Sequence, residues 1–84
     1  MELTSGKIIK VLTKEGILVH NQMWMQYITY FREDMICGRS AELFYDSNTR
    51  VMVTSSVVVV GEDENNLVLT TQNSIYHIKK FNKV

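Results

Sequence analysis

Eighty-four residues make one domain, of a size that hides only about 60–65% of the surface its unfolded chain exposes. A 45% hydrophobic fraction excludes a disordered chain, and nine Lys and Arg against nine Asp and Glu exclude whole-molecule attraction to phosphate. Cys37 is the only cysteine, so no intramolecular disulfide forms, which suits a reducing compartment.

Met1-Glu2-Leu3-Thr4-Ser5 lacks a basic region followed by an apolar run, and no apolar stretch approaches membrane-spanning length, so a cytoplasmic address with no membrane partner is expected. The chain has no proline, which leaves Gly, Asn, Asp and Ser to make the turns.

In chain order, Lys7–Thr13 reads as the first strand, with Ile9, Val11 and Thr13 on one face and Ile8, Lys10 and Leu12 on the other. Lys14-Glu15-Gly16 reads as a hairpin turn and Ile17–His20 as the return strand. Met23–Phe31 is ambiguous. A strand would put Trp24, Gln26, Ile28 and Tyr30 on one face, whereas a helix would stripe Met23, Tyr27, Tyr30 and Phe31; aromatic and branched content favours the strand. Arg32-Glu33-Asp34 is a charged turn and Met35–Gly38 begins another strand.

Ser40–Tyr45 has a competing helical reading with Ser40 as cap; in either form Leu43 and Phe44 supply its burial. Asp46-Ser47-Asn48-Thr49 is a turn. The organising stretch follows: Val51–Val60, a polar turn at Gly61–Asn66, Leu67–Thr71, a tight turn at Gln72–Asn73, and Ser74–Phe81. The branched run Val57-Val58-Val59-Val60 suits a pleated central strand. Together these elements predict a mainly β domain: an antiparallel, barrel-like curled sheet of six or seven short strands, with room for one short helical turn.

Thr54-Ser55-Ser56-Val57-Val58, followed after an acidic turn by Leu69-Thr70-Thr71-Gln72-Asn73-Ser74-Ile75-Tyr76, resembles the C-terminal hairpins of small uncharacterised proteins encoded by phages and other mobile elements. The resemblance covers about a third of the chain and carries no catalytic residue. It implies a compact β domain in a phage-like setting, and binding or inhibition of a host component ahead of metabolism.

Few residues point to chemistry. His20, His77 and Cys37 lack the short spacing of a zinc site. Cys37, between Ile36 and Gly38, reads as a buried structural thiol. The acids Glu33, Asp34, Glu62, Asp63 and Glu64 fall in polar turns and miss the calcium-loop pattern, and no phosphate-cradling or nucleophile-elbow motif occurs. An enzyme, a metal or a cofactor is therefore not expected.

Binding is. Met23–Phe31 holds more large apolar side chains than one half-buried strand face hides, so Trp24 and Tyr30, on its even face, form the candidate contact face for a protein partner or a second subunit, and Tyr27 of the same segment is a further candidate binding residue. Arg32 and Arg39 would orient it, and Arg39 with Arg50, flanking a hairpin, would clamp an anion. Lys7 and Lys10 join these arginines as candidates for contacting a phosphate-bearing ligand.

The leading expectation is a non-catalytic inhibitor or adaptor that blocks a host macromolecule sterically. The alternatives are an oligomer that sequesters a nucleotide-like molecule and an OB-like binder of single-stranded nucleic acid. Neutral net charge counts against the last, and Lys79, Lys80 and Lys83 beside Phe81 make only a short basic patch.

Overall fold

A computed structural model describes residues 3–19, 23–45, 50–63 and 66–81, without the side chains of Met23, Trp24 and Asp63. Six antiparallel strands close into one barrel in sequence order: β1 (Thr4–Thr13), β2 (Thr29–Phe31), β3 (Ser40–Tyr45), β4 (Arg50–Asp63), β5 (Asn66–Thr71) and β6 (Ser74–Lys80). Each strand pairs with its chain neighbours, and β1 closes on β6 through Gly6 opposite Lys80 and Val11 opposite Tyr76.

The barrel is filled from alternate positions. Ile8, Val11, Phe31, Ala41, Leu43, Val57, Leu67, Leu69, Tyr76 and Ile78 are all buried and form one cluster, with Val19, Met25, Met35, Met52 and Val60 packed against it. Burial of this apolar surface is the main force closing the ring. The Gln72–Asn73 turn forms as the sequence predicts, pinned by the Thr71 hydroxyl, which accepts from the Ser74 N–H at 3.1 Å and donates to the Ser74 carbonyl at 3.0 Å.

Several expectations are corrected. β1 starts at Thr4, not Lys7, and its register against β6 shifts between Ile8 and Lys10. That bulge breaks the alternation that placed Ile9 beside Val11: Val11 is buried while Ile9 is 50% exposed. The Lys14–Gly16 turn is present, with Gly16 at φ 85°, but the return segment makes one isolated bridge, Leu18 to Leu12, instead of a strand; His20 lies outside the described residues.

Met23–Phe31 divides. Met23–Gln26 is a turn of 3₁₀ helix and only Thr29–Phe31 is strand, because the chain must cross one barrel end before it can pair with β1. Met35–Gly38 is irregular, with Gly38 at φ 90°, and Ser40–Tyr45 is a strand, since β4 offers it a full antiparallel partner. Gly61–Asp63 and Asn66 extend β4 and β5 instead of belonging to the turn, and Asp46–Thr49 lies outside the described residues.

Cys37 is exposed, not buried, because the β2–β3 connection runs outside β4; its thiol donates to the Val58 carbonyl at 3.2 Å. Among the described residues no helix is long and apolar enough to cross a membrane.

Candidate functional site

The barrel sorts the six predicted binding residues into three places. The strands run alternately up and down, so the β2–β3 connection sits at one end of the ring, while η1 (Met23–Gln26) and the β3–β4 connection sit at the other.

Arg32 and Arg39 belong to the first end. They line one open hollow of about 240 Å³ together with Asp34, Met35, Ile36, Ser40, Ala41 and Glu42. Such a volume falls below the range usual for enclosing a small organic ligand, roughly 300–1,000 Å³. Arg32 already holds a carboxylate: its Nε donates to Asp34 Oδ1 at 2.9 Å and its Nη2 to Oδ2 at 2.6 Å. That paired hydrogen bond raises the Arg32 pKa and draws the Asp34 carboxyl below its usual range. Arg39 makes no side-chain hydrogen bond or ion pair among the described residues, so its guanidinium is the donor this hollow still offers.

Arg50 lies at the opposite end. The Arg39 carbonyl accepts a hydrogen bond from the Val57 N–H, whereas Arg50 faces Tyr45. At about 3.3 Å per residue the two backbones are separated by about 20 Å along the hairpin, so the Arg39–Arg50 clamp does not form. Flanking a hairpin in sequence put the two arginines at its two ends: the strand entry and the strand return.

Tyr27 also lies at Arg50's end, its ring centroid 5.9 Å from that of Tyr45 and inclined by 36°. Tyr30 points outward from the middle of β2, because its neighbours Thr29 and Phe31 are buried inside the barrel. Trp24 and Tyr30 are not on one strand face, since Trp24 belongs to the 3₁₀ turn; the Trp24 side chain lies outside the described residues.

What Tyr30 does share a face with is the outer surface of β3 and β4. Tyr30 stands opposite Phe44, Phe44 opposite Val51, and Glu42 opposite Val53. Val51 and Val53 are 44% and 59% exposed, and Ile36 and Val58 are also exposed where the β2–β3 connection meets β4. Sequence reasoning missed these residues as surface. The signal was present in the alternation Val51-Met52-Val53-Thr54, whose even members are the ones that face inward.

Among the described residues no three His, Cys, Asp or Glu side chains gather as a metal site. No protein-family model matches the chain, and no curated protein and no solved structure matches it significantly.

Proposed function

We propose that the protein is a non-catalytic binding module, an inhibitor or adaptor, that covers a protein partner with the outer face of β2, β3 and β4. One observation carries this reading: Val51, in the row of Phe44 and Tyr30, and Val53, in the next row opposite Glu42, lie exposed on one outer face instead of beneath another layer. An apolar, partly aromatic patch with charged residues at its edge has the make-up of an interface core and rim, and Glu42, Arg32 and Arg39 supply the edge. The mechanism is steric. The phage-type setting implied by the C-terminal hairpins agrees with it.

The test compares the intact protein with Val53→Glu as baits in quantitative capture from cells, alongside sedimentation of each. A partner, or a second copy of the chain, held by the intact protein and lost by a Val53→Glu variant of unchanged circular dichroism is the expected result. Identical partners and identical sedimentation for the two would overturn the assignment.

A second reading is favoured by the unpaired Arg39 guanidinium in its hollow: capture of a nucleotide-like anion, with Ser40 beside it. Binding would raise Tm, with stabilisation growing as the logarithm of ligand concentration above Kd. No rise across mono-, di- and cyclic nucleotides would remove this reading.

A further inference from the structure

The chain is neutral as a whole, with nine basic and nine acidic residues. The fold distributes them unevenly. β5, β6 and β1, three consecutive staves of the barrel, contain no Asp or Glu in Asn66–Thr71, Ser74–Lys80 and Thr4–Thr13, yet they carry Lys7, Lys10, His77, Lys79 and Lys80.

Lys80 is neutralised. Its Nζ donates to Glu33 Oε1 and Glu62 Oε1, each at 3.0 Å, at one end of the barrel. The other lysines are on the outer face, where Lys7 stands directly opposite Lys79 and Lys10 directly opposite His77. Ile8 and Ile78, between these rows, point into the core, so the four polar side chains share the outside. None of Lys7, Lys10 and Lys79 makes an ion pair among the described residues.

Like charges set directly across a strand pair oppose folding. An arrangement that leaves Lys7 against Lys79 with no carboxylate on three strands is one that an external anion relieves.

We infer that the outer face of β1 and β6 binds the phosphodiester backbone of single-stranded nucleic acid through Lys7, Lys10 and Lys79. The Lys7–Lys79 row and Lys10 in the next row, about 7 Å along the strands, form a track suited to a chain of regularly spaced charges. The face is poor in the features of a protein interface core, which is depleted of lysine and built on aromatic, methionine and arginine side chains. Phe81 continues the outer face beyond Lys79, and it is 38% exposed, so it offers one ring on which a base can stack. In the ring β1 lies across from β4 and β6 across from β3, so this face is on the side of the barrel away from Val51 and Val53. The inference therefore stands independently of the protein-binding surface.

The experiment is fluorescence anisotropy of a labelled oligothymidylate of about 20 nucleotides with the intact protein, Lys7→Gln/Lys79→Gln and Val53→Glu over a salt series. Three phosphate contacts predict a log–log salt slope of about −2 for the intact protein and for Val53→Glu, and about −0.7 for the double lysine variant, with at least about tenfold weaker binding at low salt. Circular dichroism checks that each variant is folded. Binding unaffected by the two lysine substitutions, no binding at the lowest salt, or equal displacement by poly-glutamate per unit charge would each overturn it, the last by assigning the face to an acidic protein segment. Loss of protein capture by Val53→Glu with oligonucleotide binding intact separates the two surfaces.

Discussion

Thr29 is 1% exposed, and its hydroxyl finds no hydrogen-bond partner among the described residues. A buried hydroxyl without a partner costs its desolvation and returns nothing, so Thr29→Val, which keeps the branched shape, is expected to raise stability by about 1 kcal/mol in urea unfolding. Thr54 shows the satisfied case. Its Oγ1 accepts the Ala41 N–H at 2.9 Å where the β3–β4 register shifts, and donates to the Ser55 carbonyl at 2.7 Å. Lys80 carries the pH-dependent contact. Its hydrogen bond to Glu33, then that to Glu62, raises its pKa. The ion pair therefore contributes fully below the unfolded lysine pKa and is lost as pH rises through the higher folded one. Lys80→Gln should cost about 0.5–1 kcal/mol at neutral pH, since both carboxylates are solvent-exposed, and the difference from the intact protein should shrink above about pH 10.5. A difference constant across the alkaline range would show that the contact contributes nothing.

At the scale of elements, strand contact sets the limits. A methyl at Gly6 would lie 2.5 Å from the Lys79 carbonyl oxygen and 3.2 Å from Ile78 Cγ2, so β1 and β6 can approach only with no side chain there. Gly6→Ala should lower stability by about 1–3 kcal/mol with an unchanged denaturant slope, a midpoint shift that urea titration reads directly. Strand existence was legible wherever branched residues alternate between turn residues, as in β4, β5 and β6. Segments that depend on a partner were not. Ser40–Tyr45 has a cap and a helical turn available locally, but β4 supplies its ladder. Met23–Phe31 has the composition of a strand, but its first half must span a barrel end. For Arg39 and Arg50, sequence nearness across a hairpin said nothing of which end each would occupy.

The whole molecule depends on the β1–β6 seam. It joins the first strand to the last, so every strand has two neighbours, with the shortest pairings at β2, which meets β1 over Thr4–Gly6 and β3 at Tyr30 opposite Phe44. Deleting Ser74 onward should leave β1 and β5 unpaired along one side and expose the Leu67–Leu69 core, giving aggregation on size-exclusion chromatography and loss of dispersed amide resonances. A monomeric, dispersed fragment would show that the seam is dispensable. The sequence by itself determined the β class and the Gln72–Asn73 turn, because period, branching and turn chemistry are local properties of the chain. Only the tertiary structure decided the ring closure, the exposure of Cys37, the separation of Arg50 from Arg32 and Arg39, and the sorting of a neutral chain into an acid-free basic face and an apolar one. Bulges in β1 and β4 and the closing of first strand on last set which side of the sheet each residue meets, and those are long-range pairings that no local window contains.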